Sequence, residues 1–343
     1  MLRIGVMGTA NIAKTRMIPT ILSLAGLEYA GVARASEEEW NAPDAGPVAA
    51  SYSDAAAKNQ ELAASFQESF GGEVYEGYME MLERDDIDIV YMPLPPSLHF
   101  QWGMEALKHH KHLLMEKPFT LSANDTKTLL DTAEREGLAV IENYGFMYHT
   151  QFIKIKELLD AGKIGELRLI RTAFGFPHRA QNDFRYSRHF GGGALYDCGG
   201  YTLKLASSFL EDPLSLLAPN LTVTPGHEVD ICGSATLCDR NRTVQLAFGM
   251  DHAYKCELEL WGSTGTLLSQ RIYTAPGDLA VTLVIKSNAG EEKITVEPCN
   301  QFGEIVKQLL IAIRDPKRAA SLREEILRQA ELVDTFAESC LKG

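Results

Sequence analysis

The sequence predicts an α/β chain built from a doubly wound parallel sheet and a following α+β domain with one large open, mostly antiparallel sheet. Up to about residue 145, short β-rich runs alternate with helical patterns, which is the order that builds a parallel sheet with crossover helices. Later strand-like runs follow one another across Gly, Asn and Asp turns, as in antiparallel sheets. A chain of 343 residues also exceeds what one core usually serves. We therefore expect residues 1–121, completed by 122–145, to form the first domain and residues 146–343 the second.

In the first domain, apolar periodicity separates the strands from the helices. Strands are predicted at Arg3–Met7, Glu28–Ala33, Glu73–Tyr75, Ile87–Met92, His112–Glu116 and Leu138–Glu142. Helices are predicted at Ile12–Leu24, Lys58–Phe70, Gly77–Glu83, Leu98–Lys108 and Ala123–Arg135. The connection Glu37–Ala57 is longer than connections in such folds usually are.

The second domain begins with one amphipathic helix, at Gln151–Ala161, and a strand at Leu167–Phe174. Further strands are predicted from β-branched and aromatic content; they are Val229–Leu237, Thr243–Met250, Glu257–Trp261, Leu279–Ile285 and Lys293–Val296. Two helices, Phe302–Arg314 and Arg323–Leu341, end the chain.

Composition excludes several classes of protein. The net charge of −13 opposes nucleic-acid binding, which needs Lys and Arg to neutralise phosphates. No apolar run reaches the roughly 18 residues of a membrane helix, and the opening MLRIGVMG is unlike a signal peptide. The six cysteines lack the spacings of a zinc site or a disulfide scaffold. We expect a cytoplasmic protein that binds no nucleic acid, membrane or metal.

The first strand runs directly into Gly8-Thr9-Ala10-Asn11-Ile12-Ala13, a G-x-A-x-x-A variant of the dinucleotide fingerprint. Gly8 permits a tight turn, Ala10 keeps the backbone near a pyrophosphate, and Ala13 lets the helix pack on the sheet. The N–H groups at the helix start can then bind phosphate. We interpret Gly8, Thr9, Ala10, Asn11 and Ile12 as cofactor-binding residues. A tight turn without a ligand is the alternative.

The end of the second strand bears on the choice of cofactor. A site for NAD(H) generally has Asp or Glu there, about 20 residues after the fingerprint, whereas this chain has Arg34 and Ser36. Arg34 can pair with a 2′-phosphate and Ser36 can donate to it, which favours NADP(H). An exposed arginine at a strand end is the alternative. The long segment Glu37–Ala57 starts here, so it either closes over the adenosine half or is a plain exposed insertion.

Glu116-Lys117-Pro118 follows the fifth strand, and ligands of open α/β sheets bind beyond the carboxyl ends of the strands. Lys117 is therefore expected near the nicotinamide, and Pro118 restricts its backbone. The fourth strand ends beside it, so Pro93-Leu94 and Glu116 are also predicted to contact the cofactor. His99 either touches nicotinamide or substrate, or packs and caps the next helix.

The glycine-rich run from Gly191 to Tyr201 leads into a helix of the second domain. Asp197 and Tyr201 are four residues apart, which places both side chains on one helix face. There an acid and a phenol can surround a carbonyl together with the lysine of the other domain. Asp197 as a helix cap is the alternative.

These motifs, Gly8 to Ala13, Glu116-Lys117-Pro118, and Asp197 with Tyr201, resemble those of the glucose-fructose oxidoreductase, inositol dehydrogenase and MocA superfamily, over essentially the whole chain. The resemblance implies an NAD(P)-dependent oxidoreductase that forms a homodimer or homotetramer through its open sheet. Tyr201 stands where many members have His, as in the sugar oxidoreductase and dihydrodiol dehydrogenase branches.

Three segments resemble the NDP-hexose 3-ketoreductases of deoxysugar pathways more narrowly: Glu142–Gln151, Gly162–Leu167 and Asp197–Tyr201. Gly145, the long segment after Glu37 and Thr202 depart from that pattern. The resemblance implies reduction of a sugar or sugar-nucleotide ketone. A dehydrogenase of a free sugar, polyol or dihydrodiol and a non-catalytic NADP-binding sensor remain as alternatives.

The proposed chemistry assigns roles to named side chains. Tyr201 protonates the ketone oxygen and Lys117 stabilises the developing alkoxide or donates the proton itself. Asp197 orients one of them or a sugar hydroxyl. Three further residues, Arg185, Lys204 and Tyr144, are assigned to the substrate. The alternative for Arg185 is to order its loop by pairing with a carboxylate, and that for Lys204 is a place on the solvated surface.

Overall fold

The computed structural model describes residues 1–41, 52–180 and 183–341 and confirms the predicted fold class. The chain divides into two compact units. The first contains Met1–Asn143, His189–Gly191 and Ile305–Ala330, and the second contains the rest. The sequence-based division assigned everything after residue 146 to the second domain, whereas Ile305–Ala330 groups with the first unit because side chains such as Ile326 pack in that unit's core.

The first unit is built on a parallel sheet with the strand order β3-β2-β1-β4-β5-β6. Its strands are β1 (Leu2–Met7), β2 (Leu27–Ala33), β3 (Glu73–Tyr75), β4 (Ile89–Met92), β5 (His112–Met115) and β6 (Val140–Glu142). Its helices are α1 (Ile18–Ser23), α2 (Glu37–Trp40), α3 (Tyr52–Phe70), α4 (Tyr78–Leu82), α5 (His99–Lys108) and α6 (Ala123–Arg135). The strand order reverses between β1 and β4, so their carboxyl ends form the switch point at which such sheets bind ligands.

The second unit holds a sheet with the order β14-β13-β12-β11-β7-β10-β9-β8. Its strands are β7 (Leu167–Gly175), β8 (Ser215–Thr222), β9 (Cys232–Cys238), β10 (Thr243–Gly249), β11 (Lys255–Gly262), β12 (Gly265–Ser269), β13 (Val281–Ser287) and β14 (Gly290–Val296). Helices α7 (Thr150–Asp160) and α8 (Gly200–Ser207) belong to this unit, and α9 (Gln301–Arg314) and α10 (Pro316–Leu341) contribute residues to both units. Only β7 and β10 pair in parallel among these strands, so the mostly antiparallel sheet is confirmed.

One face of this second sheet is apolar and the other is polar. Buried side chains such as Leu246, Leu258 and Phe248 alternate along the strands with exposed ones, and they pack into a single core. The exposed face carries Arg171 and the half-exposed Trp261. The period-2 alternation that predicted the strands therefore reflects one covered and one solvated face.

The structure adds two strands that the sequence analysis missed. β8 contains Pro219 and a residue with positive φ, Ala218, so it lacks a strand pattern and lies at the sheet edge, where proline is tolerated. β12 is five residues long and starts at a glycine. Both strands are defined by pairing with their neighbours rather than by local propensity.

The long connection after β2 is partly helical. Glu37–Trp40 form α2 and α3 begins at Tyr52 rather than Lys58, so the expected excursion Glu37–Ala57 is shorter than predicted. The prediction that this connection either covers a cofactor or is a plain insertion concerns residues 42–51, which lie outside the described residues. Among the helices of the described ranges, none combines the length and apolar content needed to cross a bilayer.

Candidate active site

The glycine turn after β1 is shaped for close approach of the backbone. Gly8 has φ +103°, and its N–H donates to the Ala33 oxygen at 2.8 Å. A Cβ added to Gly8 would lie 2.8 Å from Cδ2 of Leu94, so this position requires glycine. Leu94, from the segment after β4, therefore lies directly over the turn.

The residues after Gly8 remain accessible at the start of a helix. Thr9, Ala10 and Ile12 are half-buried and Asn11 is exposed. The N–H groups of Ala13 and Lys14 both donate to the Ala10 oxygen, and a π-helical turn, Ala13–Met17, leads into α1. Wide turns of this kind occur often at functional sites.

Arg34 is buried, which corrects the alternative of an exposed arginine. Its side chain is 10% exposed, and its Nη2 lies 2.8 Å from Oε1 of Glu76, whose side chain is 70% exposed. Because an ion pair with a solvated carboxylate contributes little free energy, an incoming phosphate can compete with Glu76 for the guanidinium. Arg34 is thus a buried cation at the end of β2 that is paired with a solvated acid.

Ser36 caps α2 in a reciprocal arrangement with Glu39. Its Oγ accepts from the Glu39 N–H at 3.2 Å, and its own N–H donates to Oε2 of Glu39 at 2.8 Å. The Glu39 carboxylate also accepts from the N–H groups of Tyr78 and Met79, both at 2.9 Å. The S-x-x-E spacing that signals this capping box was present in the sequence and was missed.

The carboxyl ends of β4, β5 and β6 are tied together by hydrogen bonds to one carboxylate. Oε1 of Glu116 accepts from the Tyr91 hydroxyl at 2.7 Å and from Nδ2 of Asn143 at 2.6 Å. Lys117 follows it, half-buried, and the Lys117–Pro118 bond is cis. Pro93, the predicted cofactor contact after β4, is buried. Lys117 therefore projects from a backbone whose neighbours are held in place.

His99 lies in the interior of the first unit, with no exposed surface. Its Nδ1 is 2.8 Å from the Pro118 oxygen and its Nε2 is 2.9 Å from the Leu94 oxygen. Burial lowers the pKa of His99, against the opposing effects of these carbonyls and of Glu116. This position matches the packing alternative: His99 joins the segments that carry Leu94 and Lys117.

In the second unit, Asp197 is ion-paired. Nε of Arg185 lies 2.8 Å from Oδ2 of Asp197, and Nη1 lies 3.1 Å from Oδ1 of Asp183. Burial disfavours the charge, yet the carboxylates of Asp197 and Asp183 raise the pKa of Arg185 above its ordinary value. The structure therefore supports the loop-ordering alternative for Arg185, whose guanidinium is already neutralised by two acids.

Asp230, which the sequence analysis missed, caps the helical segment that carries Asp197. Its Oδ2 accepts from the Leu195 N–H at 2.7 Å, and its backbone oxygen accepts from the Ala194 N–H at 2.8 Å. Gly193 has φ +124°, and a Cβ there would lie 2.5 Å from Oδ1 of Asp230. Burial raises the pKa of Asp230. No motif links residue 230 to this helix, so only the fold could reveal the contact.

Tyr201 stands in a cluster of aromatic rings. Its centroid lies 5.1 Å from those of Tyr144 and Phe174 and 5.7 Å from those of Phe146 and Tyr273. Tyr144, predicted to contact substrate, is 2% exposed and packs edge-on against Tyr201. The contact that the structure shows for Tyr144 is therefore with the Tyr201 ring, which Tyr144 helps to hold in place. Lys204 is half-buried on α8, one turn further along.

The predicted site residues thus form two groups, each within one unit. The first unit joins the Gly8 turn, Leu94, His99 and Lys117, and the second joins Asp197, Arg185, Tyr144 and Tyr201. A glycine turn at the switch point of a doubly wound sheet, with a lysine at a neighbouring strand end, defines a dinucleotide-dependent oxidoreductase.

Comparison with known proteins identifies the family. Residues 2–144 match the model of an oxidoreductase family with an NAD-binding Rossmann fold, and residues 152–268 match a GFO/IDH/MocA C-terminal domain. The chain belongs to the glucose-fructose oxidoreductase, inositol dehydrogenase and MocA family of oxidoreductases.

Among its relatives are reductases of nucleotide-linked sugars. The chain is 37% identical to a dTDP-3,4-didehydro-2,6-dideoxy-alpha-D-glucose 3-reductase from Streptomyces violaceoruber, with 98% of this chain and 95% of that protein covered. It is also similar to a 3-ketoreductase from Actinomadura kijaniata solved with NADP and TDP-benzene, at TM-score 0.86 and 34% identity, with 97% and 96% coverage. That reductase has also been solved with a tyrosine changed to phenylalanine and with a lysine changed to alanine.

Proposed function

We propose that this chain is an NADP(H)-dependent 3-ketoreductase of an NDP-sugar, transferring hydride to a keto group of the sugar. The observation that carries the proposal is the 37% identity, over nearly the full length of both chains, to a reductase of that activity. The similarity to that reductase covers residues of both units, so it includes the unit proposed to bind the cofactor and the unit proposed to bind the substrate.

The residues of the first unit fit a phosphorylated dinucleotide. The Gly8 turn leaves accessible backbone at the start of a helix, which suits a pyrophosphate. Arg34, whose ion pair with Glu76 involves a solvated carboxylate, suits the 2′-phosphate. NADPH, when bound, supplies the hydride. Ser36 already uses its hydroxyl oxygen to cap α2, and its O–H proton remains the donor for phosphate.

Two side chains are assigned to the reaction itself. Tyr201 gives its proton to the substrate oxygen, and Lys117 stabilises the negative charge that builds there. In the A. kijaniata reductase, the altered lysine and tyrosine are separated along the chain by the same number of residues as Lys117 and Tyr201 here. This match in type and spacing supports the two assignments.

Asp197 is assigned an indirect role. Because its carboxylate is held by Arg185, which also pairs with Asp183, we assign it to ordering that loop against the helical turn that precedes α8 rather than to acting as a base. The pair Arg185 and Asp197 is therefore proposed to orient the substrate site rather than to transfer protons.

The test follows NADPH oxidation by the purified protein. The substrate is dTDP-3,4-didehydro-2,6-dideoxy-alpha-D-glucose, the sugar nucleotide in the name of its relatives. We expect turnover with NADPH, less with NADH, and none with the same ketose lacking its nucleotide. Tyr201→Phe should lower kcat by about 10² to 10⁴-fold, and Lys117→Ala should abolish turnover while sparing NADPH binding. Tyr254→Phe and Lys127→Ala, on exposed residues, are the matched controls. Oxidation of a free sugar with NADP⁺ would favour a dehydrogenase, and NADPH binding without turnover would favour a sensor.

We also propose that a second copy of the chain covers the exposed face of the second sheet. Trp261, 48% exposed, lies there with the Arg171 guanidinium 5.3 Å from its ring centre, a pairing typical of interfaces. A mass in solution that drops from dimer or tetramer to monomer in Trp261→Glu would support this. Cytoplasmic placement is proposed with it, in keeping with cysteines that form no disulfide within the described residues.

A further inference from the structure

A nucleotide-linked substrate brings a diphosphate, whose charge needs a cation that is not already neutralised. The loop after β7 offers Arg179, Arg185 and Arg188. The guanidinium of Arg188 donates through Nε and Nη2 to the Glu228 backbone oxygen. Arg185 is held between Asp183 and Asp197. Within residues 1–41, 52–180 and 183–341, Arg179 has no ion pair; its exposed guanidinium lies 4.9 Å from the centre of the Phe176 ring. Arg179 is therefore the arginine of this loop available to an anion.

Arg179 stands at the end of a row of aromatic rings that begins at Tyr201. The Phe174 ring lies 5.1 Å from Tyr201 and 6.1 Å from Phe176, and Phe176 carries Arg179. Phe174 and Phe176 are two residues apart, so they project on the same side of the chain. Phe174 is 6% exposed, so it connects the Tyr201 ring to Phe176 from within the core, and Phe176 and Arg179 are the parts of the row that a ligand can reach.

A second feature of the same loop suits a planar base. The exposed His178 ring lies parallel to that of Tyr186, with centroids 4.5 Å apart and an interplanar angle of 9°. Tyr186 is buried and anchored, since its hydroxyl accepts from the Arg179 N–H at 2.9 Å and donates to the Met250 oxygen at 3.4 Å. One face of His178 is thus covered and ordered by Tyr186. Its exposed side can receive another flat ring.

We infer that Arg179 and His178 form the subsite for the nucleoside diphosphate of the substrate, with Arg179 on the phosphates and His178 stacked on the base. The inference rests on the proposed function, because it needs a nucleotide-linked sugar. It specifies which end of the second unit's site the nucleotide occupies. The sugar then extends from Phe176 toward Tyr201.

The test measures binding of thymidine 5′-diphosphate and of thymidine to the full chain by calorimetry, with saturating NADP⁺ so that the dinucleotide site is filled. Arg179→Gln should raise the Kd of the diphosphate about 10- to 100-fold, the effect of a lost charge-assisted hydrogen bond, and leave that of thymidine nearly unchanged. His178→Ala should weaken both ligands about 5- to 100-fold, and His178→Phe should restore much of the loss. Arg188→Gln, on a nearby exposed arginine that donates to the Glu228 backbone, is the control.

Two results would overturn the inference, and they differ. If Arg179→Gln and Arg188→Gln bind the diphosphate equally well, the subsite lies elsewhere while the proposed reaction stands. If the wild-type chain reduces a nucleotide-free ketose and has no measurable affinity for the diphosphate, the nucleotide part of the proposed function fails together with the subsite. Retained circular dichroism of each variant shows that the losses are not due to unfolding.

Discussion

Replacing His99 by phenylalanine tests how the segments beside Lys117 are held. The ring size is nearly kept, while both nitrogens, at 2.8 and 2.9 Å from the Pro118 and Leu94 oxygens, are removed. Because burial lowers the pKa of His99, we take the folded form as neutral, with one N–H that donates to one carbonyl. Loss of that donor leaves a buried carbonyl without its partner and should cost about 1–3 kcal/mol of unfolding free energy near neutral pH.

The pH dependence of the unfolding free energy distinguishes a neutral His99 from a charged one. With the pKa lowered in the fold, the unfolded chain binds the proton more readily, so wild-type stability falls as the pH drops below about 6.5. The loss is at most about 1.4 kcal/mol per pH unit for one histidine. His99→Phe lacks this contribution, and the gap between wild type and variant should shrink from pH 7.5 to pH 5. Burial also lowers the pKa of His112 and His149, but both remain in the variant, so the difference isolates His99.

The difference in unfolding free energy between wild type and His99→Phe is measured by denaturant unfolding at pH 7.5 and pH 5, with tryptophan fluorescence as the signal. Trp102 lies on the same helix, α5, and reports on this unit. His110→Asn, at an exposed position with positive φ that asparagine tolerates, is the control. A gap that widens as the pH falls would mean that His99 is an imidazolium donating to both carbonyls, and our assignment of a neutral ring would be wrong. Turnover in His99→Phe should also fall, since Lys117 adjoins one of the segments that His99 joins.

Three further predictions concern the two groups of site residues. Arg34→Asp removes the cation and places an acid at the end of β2, so the ratio of NADH to NADPH affinity should rise at least about tenfold in fluorescence titration; an unchanged ratio would exclude Arg34 from phosphate binding. Asp230→Ala leaves the Leu195 N–H without its cap and should lower stability by about 1–2 kcal/mol and reduce turnover at unchanged NADPH affinity. Gly193→Ala forces a side chain into a φ of +124° and against Asp230, so it should lower the unfolding free energy by about 1–3 kcal/mol; a fully stable variant would refute the contact.

The regular elements were predictable because each carries its own local signal. The boundaries of β3 and α6 agree with the periodicity, and the glycine turn with its adjoining helix was placed from the fingerprint alone. β8 was not predictable, because Pro219 and Ala218 break its pattern and only the pairing with β9 makes it a strand.

The site was predictable in its residue types but not in its contacts. Lys117 and Tyr201 stand out in motifs, whereas the ion pair of Arg185 with Asp197 and the cap from Asp230 join residues 12 and 35 positions apart. Such pairings depend on how the chain folds back, which periodicity does not encode. The same holds for Ile305–Ala330, whose membership of the first unit depends on which core receives its apolar face.

The Glu39 carboxylate, which holds the N–H groups of Ser36, Tyr78 and Met79, anchors the end of β2 by contacts within the first unit alone. Ser36 and the segment that carries Arg34 are thus held by contacts of α2, which ends at Trp40, and α3 begins separately at Tyr52. A substitution that removes the Glu39 carboxylate would therefore release the start of α2 and the start of α4 at the same time, although Glu39 itself is assigned to no ligand.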